Sequence, residues 1–316
     1  MRAVGVTEFG GPEALEIVEL PEPEAGPGEV VVDVAAAAVS PTDTFTRNGA
    51  RAKVLAKDPP PYVPGMDVAG TVAALGEETG GSGLAVGDRV MGIVVPGGSR
   101  GGYSSRIALP SDSVAHAPAG TDHAAASTLP MNGLTARLAL DELALPAGAT
   151  LAVTGAAGAF GGYVVQLAKA DGLRVVADSS EADEELVRGL GADVLVRRGD
   201  DVADRIRAAV PEGVAGIADG SLQGDALVPA LADGGRIATV RGYGGPEGGS
   251  GRGITWHPVW VRDYARNRAA LDRLREQAES GVVTLRVADT VPAERAAETH
   301  RRLEAGGVRG RLVITF

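Results

Sequence analysis

Glycines spaced three residues apart carry the clearest chemistry in this chain. In Leu151-Ala152-Val153-Thr154-Gly155-Ala156-Ala157-Gly158-Ala159-Phe160-Gly161 an apolar strand runs into a glycine-spaced turn and then into a helix. Such glycines permit a tight turn, close backbone approach to a pyrophosphate and close packing of helix on strand; the run is a relative of G-x-G-x-x-G, with Ala156-Ala157 in place of x-G. The helix N-terminus then offers N–H groups and a positive dipole end to the phosphates. Gly155, Ala156, Ala157, Gly158, Ala159 and Phe160 are therefore expected to bind a dinucleotide. The alternative, a purely structural turn in a cofactor-free domain, fits the surrounding strand and helix alternation less well.

Cofactor choice turns on the end of the next strand, Val175-Val176-Ala177-Asp178-Ser179-Ser180. An acid pointing at the ribose would bind the 2′-hydroxyl of NAD and repel the 2′-phosphate of NADP. Asp178 is placed to do this, and Ser179 is placed equally well to favour the phosphate. The segment after Ser180 is acidic, with Arg188 its first cation. NADPH bound through Ser179 and Ser180 is the expectation, with NAD the lesser alternative. Val240 and Arg241, where a later strand ends, join the expected cofactor set.

The residues present exclude other chemistries. Cysteine is absent, which removes disulfides, thiolate nucleophiles and thiolate metal sites. The net charge of −11 argues against nucleic acid, whose binders cluster Lys and Arg. None of Tyr62, Tyr103, Tyr163, Tyr243 and Tyr264 has Lys four positions on, which removes the catalytic pair of short-chain dehydrogenases. His116, His123, His257 and His300 sit in no recognisable catalytic context and are read as structural or surface residues. No apolar window is long enough to span a bilayer and no signal-peptide layout opens the chain, so a cytoplasmic protein off the membrane is expected.

The elements that must hold these groups fall into two parts, as the length of 316 residues suggests. Short β-prone runs at 29–39, 68–75, 89–95 and 103–109 are separated by Gly and Pro clusters, an irregular all-β lobe. After about Asp122 strands at 150–153, 174–177, 194–196, 216–218 and 236–240 alternate with helices at 160–171, 181–190, 201–210 and 224–231. That alternation predicts a doubly wound parallel sheet, the Rossmann-like domain, over 122–262. Residues 258–261 are read as one more strand and 261–280 as helix. The tail, ending in a strand at 311–316, is expected to rejoin the β lobe, so that 1–121 is completed by 263–316.

Motifs in a fixed order then give a resemblance along essentially the whole chain. They are Gly10-Gly11-Pro12-Glu13-Ala14-Leu15, Pro27-Gly28-Glu29-Val30, Pro64-Gly65-Met66-Asp67-Val68-Ala69-Gly70, Val86-Gly87-Asp88-Arg89-Val90, Leu134-Thr135-Ala136, the glycine turn, Leu190-Gly191-Ala192-Asp193 and Gly310-Arg311-Leu312-Val313. In this order they resemble the quinone oxidoreductase branch of the medium-chain dehydrogenase/reductases. The resemblance implies an α/β protein with a GroES-like β-barrel catalytic lobe beside the Rossmann-like domain. It also implies a homodimer paired through the strand around Trp256–Val261, with small molecules as its other partners.

In zinc alcohol dehydrogenases of that superfamily the metal is held by Cys, His and Cys near a Glu; the motifs place Ser40, Met66 and Met131 there, with Asp67 at the Glu. Neither Ser nor Met suits a catalytic zinc, so no metal is expected. Hydride transfer to a quinone or an activated C=C bond does not need one, since hydrogen bonds can stabilise the charge that reaches oxygen. Ser40, Thr42, Asp43 and Phe45 form the segment that borders the substrate in relatives, where Asn and Tyr commonly stand in place of Ser40 and Phe45. Tyr62, Asn132 and Thr135 are further hydrogen-bonding candidates, the first two expected with Ser40 and Thr42 in catalysis and Thr135 in cofactor binding, and solvent, Thr42 or Tyr62 is the proton source. The expectation is an NADPH-dependent quinone or enone oxidoreductase; a biosynthetic enoyl reductase and a non-catalytic redox sensor remain the alternatives.

Overall fold

The computed structural model describes residues 1–247, 249 and 251–316. The chain divides into two compact units, Met1–Met131 with Ala265–Gly281 and Leu285–Phe316, and Asn132–Tyr264 with Val282–Thr284. The first unit opens with an antiparallel pair, β1 (Arg2–Gly5) and β2 (Glu16–Glu19). Its main sheet begins with β3 (Glu29–Ala38), β4 (Asp67–Leu75), β5 (Arg89–Ile93), β6 (Arg106–Pro110) and β7 (Val114–His116). Val30, Val32 and Val34 alternate toward a core that includes Val68, Val72, Val90, Ile107 and Leu109. Register shifts between β3 and β4 at Val31/Val32 and Val34/Ala36 bend the strand, so that Ala37 and Val39 face a different core with Val4, Tyr103 and Ile314.

Among the described residues the second unit holds six strands: β8 (Thr150–Thr154), β9 (Arg174–Ser179), β10 (Val194–Arg197), β11 (Val214–Asp219), β12 (Leu231–Thr239) and β13 (Thr255–Pro258). They pair in parallel in the order β10-β9-β8-β11-β12-β13. The order reverses between β8 and β11, so a crevice opens at their carboxyl ends, where open α/β sheets bind ligands. Ala152, Val176, Ile206, Ile217, Leu227 and Ile237 pack one core of this unit. The last strand begins before the expected 258–261, and just past its end Val259 N–H still donates to Thr239 O at 2.8 Å. Residues 261–264 form a 3₁₀ turn, and Gly224–Ala230, with Pro229 inside it, is 3₁₀ rather than α-helical.

The chain then returns to the first unit through a helix at Arg268–Glu279, whose N-cap Asn267 Oδ1 accepts from Ala270 N at 3.0 Å. β14 (Val287–Pro292) lies parallel to β15 (Arg311–Thr315), and β15 joins β3 antiparallel. The tail thus completes the β lobe. Residues 122–131, assigned by sequence to the second domain, lie with the first unit. Asp122 caps the helix His123–Ser127, and two of its neighbours are tied to first-unit side chains: Arg311 reaches Thr128 O at 3.4 Å, and Met131 N donates to Asp67 at 2.6 Å. Among the described residues no helix is long and apolar enough to cross a membrane.

Candidate functional site

The glycine turn adopts the geometry that its spacing implies. Gly155 has φ of 67°, left-handed backbone that glycine reaches without strain, and Gly158 N–H closes the turn onto Gly155 O at 2.9 Å. A Cβ on Gly161 would collide with the Gly155 carbonyl oxygen, so the glycine lets the helix sit close to the strand. Gly158 is the N-cap of the helix Ala159–Ala170, and among the described residues no side chain caps it. The first helical amides, at Ala159 and Phe160, are left for an outside acceptor such as a phosphate.

Asp178 is turned back under this turn. Its Oδ1 accepts the Ala156 N–H at 3.0 Å, and it is 5% exposed. Burial pushes its carboxyl above the ordinary value, opposed by the Ala156 and Gly155 amides and by the charge of Arg198. The acid therefore holds the turn and is not directed outward. Ser179 is buried at the strand end, and the Ser180 hydroxyl gives its proton to Asp183. Donation from Ser180 to a phosphate requires that hydroxyl to rotate.

The sequence order alone does not show the cation here, because the segment after Ser180 holds none before Arg188. β10 lies beside β9 with Arg197 opposite Ser179, and the next residue, Arg198, donates its N–H to Ser179 O at 2.9 Å. Its exposed side chain brings positive charge to the end of the second strand. The available signal was the parallel register of two strands, which a linear reading does not follow.

A cavity of about 360 Å³ opens at the ends of β11 and β12, lined by Asp219, Gln223, Thr239, Val240 and Tyr243 among others. Asp219, which sequence reasoning also missed, is 1% exposed and builds one wall. It accepts the Thr154 hydroxyl at 2.8 Å, Ser221 N–H at 3.1 Å and Gly224 N–H at 2.9 Å. Also in the lining, Thr239 Oγ1 donates to Tyr243 O, and Tyr243 donates its hydroxyl to Asp225. Val240 lines the cavity and Arg241 is exposed beside it with φ of 63°. Asn132 and Thr135 lie three apart on one face of the helix that begins at Pro130, each nearly buried.

In the first unit the structure brings Ser40, Thr42, Met66, Asp67 and Met131 together around Arg311. The Arg311 guanidinium, almost wholly buried, donates from Nη2 to Ser40 Oγ and to Asp67 Oδ2, each at 2.8 Å, and from Nε to Val39 O at 3.0 Å. Asp67 Oδ1 accepts Met131 N–H at 2.6 Å. Burial raises the Asp67 carboxyl, opposed by Arg311 and the Met131 amide, and each of its oxygens faces a group that can only donate. Thr42 Oγ1 donates to Met66 Sδ at 3.4 Å. Tyr62 lies outside this group: it stacks on Phe9 with centroids 5.3 Å apart and donates its hydroxyl to Asp58 O at 3.2 Å.

Comparison with known proteins shows the family. Residues 26–119 match the alcohol dehydrogenase GroES-like domain, and residues 190–314 match the zinc-binding dehydrogenase family. Quinone oxidoreductase of Sus scrofa is 30% identical over 99% of this chain and 97% of its own length. The chain belongs to the quinone oxidoreductase-like medium-chain dehydrogenase/reductases. Another relative, the chloroplastic NADPH-dependent alkenal/one oxidoreductase of Arabidopsis thaliana, is 30% identical over 99% of this chain and 79% of its length. A mycobacterial protein solved in complex with NADPH superposes over 100% of both chains with a TM-score of 0.85 at 28% identity. Enzymes of this family are NAD(P)-dependent oxidoreductases, and the glycine turn fits such a dinucleotide.

A zinc ion, which one of the matched families implies, does not fit the donor set. Ser40 Oγ already receives the Arg311 guanidinium, and a second cation would have to displace it. Met66 and Met131 offer thioethers, and zinc sites use thiolate, imidazole and carboxylate. Among the described residues no group of three His, Cys, Asp or Glu side chains is placed to hold a metal.

Proposed function

We propose that this chain is an NADPH-dependent reductase that delivers hydride to a quinone or an enone without zinc. The observation that carries the reading is the Arg311 bridge, which fills the space between Ser40 and Asp67 with a fixed protein cation. Without a Lewis acid, an acceptor must already be activated, as quinones and α,β-unsaturated carbonyls are. The names of the pig and Arabidopsis relatives point to the same acceptor classes. Arg198 beside Ser179, with Asp178 withdrawn, supports NADPH over NADH.

The bound nicotinamide would supply the hydride, held through the turn at 155–160 and the cavity at the ends of β11 and β12. Ser40 is fully buried under Arg311 and positions the segment that follows it. Thr42 is the better placed donor. It is partly exposed, and its present acceptor, a thioether, is weak, so turning it to a developing oxyanion costs little. NAD(P)H absorbance followed with a panel of quinones, enones and simple ketones tests the reading. Quinone or enone turnover with preference for NADPH is expected. Tight NADPH binding with no turnover of any acceptor would instead make this a redox sensor.

Homodimer formation through β13 belongs to the same proposal. Among the described residues that strand is the edge of its sheet and pairs only with β12, which leaves its outer backbone groups for a second copy. Sedimentation equilibrium of wild type and of a Trp256→Pro variant, which removes an edge N–H, measures it; a monomeric wild type would overturn it.

A further inference from the structure

A second buried polar chain runs through the first unit, and the reduction proposed above does not use it. Asp43, Tyr103, His300 and Arg47 are each at most 3% exposed. The Tyr103 hydroxyl donates to Asp43 Oδ2 at 2.9 Å and lies 3.2 Å from His300 Nε2. His300 Nδ1 lies 3.3 Å from Arg47 Nη1, and Arg47 Nη2 pairs with Glu304 at 2.6 Å. At the inner end Asp43 accepts the Ser40 N–H at 2.7 Å and the Gly65 N–H at 3.1 Å. One carboxylate thus ties together the two turns that carry Ser40, Thr42 and Met66.

The direction of every bond in the chain follows from its outer end. A guanidinium has donors only and keeps its proton in proteins. His300 Nδ1 facing Arg47 must therefore accept, so the imidazole proton sits on Nε2 and is given to the Tyr103 oxygen. The Tyr103 proton then goes to Asp43, which receives three donors and gives none. Burial and the Arg47 charge hold His300 down to about 4, consistent with a neutral ring. Asp43 is lifted to about 6 by burial, with the Ser40 amide, Tyr103 and Arg311 opposing and Asp67 adding to the rise, so above that pH it is the acceptor the chain requires.

We propose that Arg47 is a positioning residue which, through His300 and Tyr103, fixes Asp43 as a pure acceptor and so holds the Ser40 and Gly65 turns in register. The proposal rests on reading the Ser40–Thr42 segment as the acceptor site. Gln at position 47 can accept as well as donate, which lets His300 change tautomer, Tyr103 turn round and Asp43 bind a proton. Lys at the same position is again donor-only.

Imidazole ¹⁵N–¹H spectra at pH 7 test this in wild type, Arg47→Lys and Arg47→Gln, with the His300 signal assigned by its loss in His300→Gln. The expected result is the Nε2–H tautomer in wild type and Arg47→Lys and a mixture in Arg47→Gln. Alongside it, KM for the acceptor should rise several-fold in Arg47→Gln only, with NADPH affinity unchanged. A cationic or Nδ1–H His300 in the wild type overturns the proposal whether or not the variants fold, and so does an Arg47→Lys enzyme that behaves like Arg47→Gln. If no acceptor turns over but wild-type His300 is the Nε2–H tautomer, the hydrogen-bond chain stands and the reductase reading falls.

Discussion

The backbone N–H of Arg198 donates to the carbonyl of Ser179 at 2.9 Å, which puts a cation from one strand at the end of its neighbour. A 2′-phosphate held there would gain a charged partner that the segment after Ser180 does not supply. Arg198→Ala should therefore weaken NADPH about tenfold, the scale of one hydrogen bond to a charged group, and leave NADH nearly unchanged. Fluorescence titration of both cofactors reads it, and equal losses for the two would remove Arg198 from the phosphate site.

Asp178 leads to the opposite pattern. Its carboxylate accepts the Ala156 N–H, so Asp178→Asn is expected to weaken the turn for any dinucleotide. Affinity for NADPH and NADH should fall together, by up to about tenfold, with their ratio preserved. A shift of the ratio toward NADPH would mean that the carboxylate does reach a ribose hydroxyl.

Much of this was legible in the residues themselves. The glycine spacing at 155, 158 and 161 located the turn, and short apolar runs separated by Gly and Pro located most strands of both units. What stayed hidden were polar partners brought in across the fold. Arg198 acts through strand register, and Asp219 reaches Thr154, Ser221 and Gly224 from the end of β11. His300 was masked by charged neighbours, although Ala296, Thr299, His300 and Leu303 recur at i, i+3, i+4 and i+7 and mark the inward face of its helix. The domain boundary was misplaced because the small residues of 122–131 carry no signal of the first-unit side chains that hold them.

Metal content follows from the Arg311 bridge. Protein purified with zinc in the medium should carry well under one equivalent by elemental analysis, and chelator treatment should leave acceptor reduction unchanged. Stoichiometric zinc whose removal abolishes turnover would show that Arg311 leaves the space between Ser40 and Asp67 when metal is offered.

The final prediction concerns stability against pH. Asp43 is raised from 3.8 to about 6, and His300 is lowered from 6.5 to about 4, both chiefly by burial. For Asp43 the folded state binds the proton more tightly, so its contribution is fully present below about 4 and is lost as pH rises through about 6. His300 has the reverse sign: its contribution is present above 6.5 and is lost as pH falls through about 4. Each shift of two units or a little more corresponds to about 3 kcal/mol, so the two slopes nearly cancel across this window. Removing one partner should expose the other. Relative to wild type, His300→Gln should lose stability as pH rises from 4 to 6, and Asp43→Asn should lose it as pH falls from 6.5 to 4. Urea midpoints at half-unit steps measure both slopes, and two variants that both parallel the wild type would show that neither group titrates in this window.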